Sequence, residues 1–73
     1  MLTPQIKAQV QTVLQARMLE DKAYRAVMAI TQSTPLDEAD RLVEEHRRLT
    51  RVTSREELHL VQLTIKASEA VTA

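Results

Sequence analysis

Four arginines, Arg47, Arg48, Arg51 and Arg55, fall within nine residues that contain no acid. Planar guanidinium groups at that density can grip phosphate oxygens, an anionic nucleotide or metabolite, or an acidic patch on another protein. A second account needs no ligand. Five acids, Asp37, Glu38, Asp40, Glu44 and Glu45, precede the arginines, and acids at a helix start with bases at its end are what the helix dipole favours. Glu44 stands four residues before Arg48, at ion-pair spacing, whereas Arg51 and Arg55 have no acid three or four residues away.

Other chemistry has little to build on. The two histidines, His46 and His59, are thirteen apart and lack metal-ligand spacing, and there is no cysteine for a thiolate site or a disulfide. Glycine is absent, which removes the phosphate-cradling loops, dinucleotide fingerprints and nucleophile elbows that need it. Ser33, Ser54 and Ser68 read as turn, cap and helix-surface residues with no base in reach. No catalytic, cofactor or metal residues are therefore assigned, and the chain is expected not to be an enzyme. His46 reads as an interface histidine on an apolar helix side, His59 as surface, and Met18 and Met28 as core fillers.

The elements that must carry these residues are helices. Apolar residues make up 44% of the 73 positions, but Tyr24 is the only aromatic, and the rest are Ala, Val, Leu, Ile and Met. So short a chain buries a small share of its surface, and without cysteines or a metal site its usual remedy is to oligomerise. Ten acids balance ten bases, which weighs against a dedicated nucleic-acid binder. The longest uncharged stretch, Ala26 to Leu36, is too short and polar for a bilayer span. With no signal-peptide pattern at the start, a soluble cytoplasmic protein without membrane contact is expected.

Both prolines follow a threonine: Thr3-Pro4 and Thr34-Pro35. A threonine N-cap with proline at the first helical position is a helix-start signal. The first predicted helix covers 4–31. Its apolar side changes along the way, from Ile6, Val10, Val13, Leu14 and Met18 to Leu19, Ala23, Ala26, Val27 and Ile30, which calls for a bend near Glu20–Lys22 or a second neighbour. A second helix over 35–50 lines up Leu36, Ala39, Leu42, Val43, His46 and Leu49. Ser54 and Glu57 then form the pattern of a capping box, so a third helix is predicted over 54–71. Continuing the second helix instead would drive Thr53 and Glu56 into the core.

A bend at 50–54 admits a helix-turn-helix reading, in which Arg55, Glu56, His59, Gln62 and Lys66 would face DNA. Glu56 and Glu57 would then stand near phosphates that repel them. The third helix offers a better clue, for it is apolar on two sides: Leu58, Val61 and Ile65 on one, Leu60, Leu63, Ala67 and Ala70 on another. Two apolar sides need more than one neighbour. The first helix could cover both, but the expectation is another chain.

The sequence thus predicts an all-α single domain over 1–73, with one long helix and two shorter ones, assembled as an intertwined dimer or a higher helical bundle. Leu58, Leu60, Val61, Leu63 and Ile65 are its expected oligomer interface, and Arg47, Arg48, Arg51 and Arg55 its expected partner or anion site. The expected function is a small non-catalytic protein-binding module of adaptor, inhibitor or chaperone type, of a size common in phage and accessory bacterial genes. The alternatives are a helix-turn-helix-like DNA-binding regulator and an anionic nucleotide or metabolite binder using the arginines.

Overall fold

The computed structural model describes residues 3–72, with side chains described to Ala70. Thr3 has extended backbone angles and its Oγ1 accepts the Ile6 N–H at 3.1 Å. With Pro4 at the first helical position, α1 starts where the sequence places it and runs Pro4–Met28, about 37 Å at 1.5 Å per residue. It stops three residues short of the predicted end. The Ala29 N–H still bonds back to Arg25 and Ala26, and the Thr31 N–H then donates to Thr34 Oγ1 at 3.0 Å.

That bond changes the expected second cap. The Thr34 hydroxyl is turned back into the connecting loop, and the Pro35 carbonyl accepts the next helix's first bond, from the Ala39 N–H at 3.0 Å. From there α2 runs Leu36–Thr72 without interruption. The predicted break at 50–54 and the separate third helix are not there. Ser54 is an exposed residue in mid-helix, and Glu57 reaches across to Arg17 instead of capping. With no turn at that point, the geometry a helix-turn-helix requires is also missing.

The continuous helix is tolerated because its polar core positions are satisfied. Thr53 is 4% exposed and its Oγ1 donates to the Leu49 carbonyl at 3.0 Å, which satisfies the hydroxyl within its own helix. Glu56 receives a hydrogen bond from Gln9. The objection drawn from the pattern, that Thr53 and Glu56 would enter the core, thus describes what happens.

The same logic removes the change of face in α1. Ile6, Gln9, Val13, Ala16, Glu20, Ala23, Val27 and Ile30 recur at alternating steps of three and four, and all are buried or half-buried. On α2 the seam is Ala39, Leu42, His46, Leu49, Thr53, Glu56, Leu60, Leu63 and Ala67, again buried or half-buried throughout. This is the spacing of two helices packed as a coiled coil. Leu14 and Met18, expected on the first stripe, are exposed. Counting only apolar residues misplaced the stripe, since Gln9 and Glu20 occupy two of its positions.

Gln9 meets Glu56, Arg17 meets Glu57 and Tyr24 meets His46, so the helices are antiparallel. The result is an elongated hairpin of 60 × 14 × 12 Å. Its radius of gyration is 17.0 Å, where a compact domain of this length has about 11 Å. The Gln9–Glu56 pair leaves five residues of α1 before it and sixteen of α2 after it. The end of α2 therefore runs on past the start of α1.

Candidate functional site

A hairpin has an inner seam, two flat faces and two outer sides, and the predicted site residues divide among them. Leu60 and Leu63 belong to the inner seam and are half-buried toward α1. Leu58, Val61 and Ile65 occupy the outer side of α2, where they are 58%, 52% and 52% exposed. The two sides expected of the third helix are thus separated: Leu60, Leu63 and Ala67 are half-buried, whereas Ala70, expected beside them, is exposed like the other side.

The arginines share that outer side, immediately before the apolar stripe. Arg47 pairs with Glu44 at 2.8 Å and Arg48 with Glu45 at 2.6 Å, both one turn apart. The expected Glu44–Arg48 pair is replaced by these two. Arg55 lies 3.8 Å from Glu56, and Arg51 has no ion pair or hydrogen bond among the described residues. The Arg48 hydrogen bond, reinforced by its charge, holds the Glu45 carboxyl below the usual glutamate range, and the same contact raises Arg48. All four arginines are exposed, so the cluster is a solvated strip whose first two members are already paired with acids.

The two flat faces differ. One carries the Arg17–Glu57 ion pair at 2.8 Å and the Tyr24 ring 5.7 Å from that of His46, tilted by 50°. Beside these rings Glu20, Asp21, Tyr24, His46 and Thr50 line an open depression of about 390 Å³. His46 is half-buried against Tyr24, consistent with an interface histidine. The opposite face has a smaller groove of about 290 Å³ formed by Leu19, Ala23, Ala26, Leu42 and Leu49, rimmed by Lys22 and Glu45. Ala23 and Ala26 leave that groove because a methyl group cannot fill the space between the helices.

Sequence reasoning missed the polar layer inside the seam. Gln9 is 8% exposed, and its Nε2 donates to Glu56 Oε2 at 2.8 Å and to the Glu56 carbonyl at 3.0 Å. Among the described residues no buried side-chain nitrogen or oxygen lacks a partner. The available signal was the spacing of Gln9 from Ile6 and Val13, which places it on the seam whatever its polarity. Among the described residues no three His, Asp or Glu side chains converge to hold a metal ion, and no helix is long and apolar enough to cross a membrane.

Compared with known proteins, the chain matches no family model, no curated protein and no solved structure.

Proposed function

We propose that the protein is a small non-catalytic protein-binding module that works as a homo-oligomer, its hairpin surfaces being covered by helices of other chains. The observation that carries this reading is the outer stripe of Leu58, Val61 and Ile65, each more than half exposed and spaced to share one side of α2. Six further large apolar side chains stand exposed among the described residues, including Leu14, Met18 and Met28 on α1. A contiguous apolar side at helical spacing is the form in which one helix meets another, and large exposed patches mark association sites on soluble proteins.

The chemistry agrees. Such a stripe, preceded along the helix by Arg51 and Arg55, suits an amphipathic partner helix with an acidic end, and an adaptor, inhibitor or chaperone needs no more than that. The test is the solution mass by light scattering at several protein concentrations, alongside thermal unfolding at the same concentrations. The reading expects a mass above that of one chain and a melting temperature that rises with concentration. A helical monomer with a concentration-independent melt would overturn it. In a Leu58→Asp/Ile65→Asp chain, a fall in mass would assign the stripe to self-association, and an unchanged mass would leave it open for a different protein.

A further inference from the structure

We infer that the partner seated on the Arg17–Glu57 face is a second copy of this chain, docked with the two hairpins aligned so that α1 of each lies across α2 of the other. The inference rests on the reading above and identifies the surface and symmetry of the oligomer. Area is the first argument. The chain exposes 5926 Å², whereas a compact monomer of its mass exposes about 4,600 Å². The excess of roughly 1,300 Å² is more than the roughly 800 Å² that each partner contributes to an interface of standard size.

The choice of face follows from spacing. Val10 and Tyr24 stand seven residues either side of Arg17, and Leu14 and Met28 seven either side of Asp21, which lines the Tyr24 depression. Seven-residue steps return to the same side of a coiled-coil helix. On α2, Val43 and Thr50 fall at the same steps before Glu57. This face therefore carries Leu14, Tyr24 and Met28, all exposed, around the Arg17–Glu57 ion pair that joins the two helices. Among the described residues the opposite face has one exposed large apolar residue, Leu19, and its margin toward the outer side is formed by Arg41, Arg48 and Arg55 at one seven-residue spacing.

Charge selects the orientation. Arg17 and Glu57 already pair across the hairpin at 2.8 Å, with 59% and 42% of their side chains exposed. Laying α1 of one copy across α2 of the other sets each Glu57 between its own Arg17 and that of the second copy. Four alternating charges then circle the bundle axis. Turning the second copy end over end about this pair would set Arg17 against Arg17 and Glu57 against Glu57, and like charges facing across an interface are strongly unfavourable. In the aligned arrangement the Val10–Leu14 turn of each copy meets the Ser54–Val61 segment of the other, because the Gln9–Glu56 and Arg17–Glu57 contacts hold those segments level. Every neighbouring helix pair is antiparallel, as in a four-helix bundle. Leu58 and Ile65 remain at the outer edge with the arginines.

The experiment mixes an Arg17→Glu chain with a Glu57→Arg chain and measures homodimer and heterodimer by native mass spectrometry. Each variant alone places four like charges in the ring, whereas the mixture restores attraction between copies. We expect heterodimer to exceed random mixing on the order of tenfold. The doubly reversed chain, R17E/E57R, is expected to dimerise like the wild type. A second pair of variants, Lys22→Glu and Glu45→Lys on the opposite face, carries the same net-charge changes and should mix at random. Random mixing of the Arg17 and Glu57 variants, or an excess confined to the Lys22 and Glu45 pair, would overturn this face while leaving the oligomer standing. A helical R17E/E57R chain that fails to dimerise where the wild type does would overturn it too. A wild-type monomer would remove the reading beneath it as well.

Discussion

Gln9 and Glu56, forty-seven residues apart, are joined by two hydrogen bonds from one amide nitrogen, to the Glu56 carboxylate at 2.8 Å and to its carbonyl at 3.0 Å. The pair lies in the seam between the helices, where an apolar layer would be the default. Polar residues at single seam positions fix register at some cost in stability, and Gln9 can meet Glu56 in only one alignment of α1 on α2.

Gln9→Ala should therefore lower stability by about 2 kcal/mol, since it removes a hydrogen bond to a charged group and leaves Oε2 of a half-buried carboxylate without its donor. Urea unfolding followed by circular dichroism measures this. Gln9→Leu/Glu56→Leu should recover that stability or exceed it, as apolar replacements of buried polar pairs often do. Its amide NMR spectrum should contain more than one set of resonances as the register loosens. A single sharp set would refute the registering role.

Arg55→Pro separates a continuous helix from one that restarts at Ser54. Proline is well accommodated at the first position after a cap, but inside a helix it removes a backbone bond and clashes with the preceding turn, at a cost of about 3 kcal/mol or more. We expect most of the helical signal at 222 nm to be lost. Retention of wild-type helicity and melting temperature would place a helix start at Ser54.

Leu49 and Met18 test where the core lies. Leu49 is buried at the seam and Met18 is 72% exposed, although both satisfy a simple apolar pattern. Leu49→Ala should cost about 2–3 kcal/mol through lost burial and a residual cavity. Met18→Ala should stay within about 0.5 kcal/mol of wild type, as surface changes do. Equal losses in thermal unfolding would contradict the seam.

The Glu45–Arg48 contact predicts a small acid dependence. Because Arg48 lowers the folded-state pKa of Glu45, the pair contributes fully above the unfolded glutamate value, about 4.3. Its contribution fades as pH falls through the lower folded value. Glu45→Gln should make unfolding less steeply dependent on pH in that acidic window and leave the slope near neutrality unchanged. The exposure of both groups keeps the effect small. An identical acid limb in the variant would show that the contact adds nothing to stability.

Much of the hairpin was readable locally. The Thr3–Pro4 start, the helical character of both arms and a connection ahead of Pro35 follow from capping chemistry and from the lack of glycine, although α1 ends three residues earlier than its sequence suggests. The capping-box motif at Ser54 and Glu57 misled because three-residue spacing occurs within helices as well as at their starts. Nothing local shows that Glu57 has an arginine opposite it.

By itself the sequence determined that the chain is helical, begins α1 at Pro4, and carries large apolar residues on more than one side of its C-terminal arm. These follow from short-range backbone and solvation chemistry. The tertiary structure alone decided that Pro35 leads into one long helix, that Gln9, Thr53 and Glu56 belong inside, and that Leu58, Val61 and Ile65 remain outside. The physical reason is that a polar side chain is acceptable in a seam only where a partner completes its hydrogen bonds. For Gln9 and Glu56 that partner is brought in from the other end of the chain, while Thr53 finds its acceptor one turn back in its own helix.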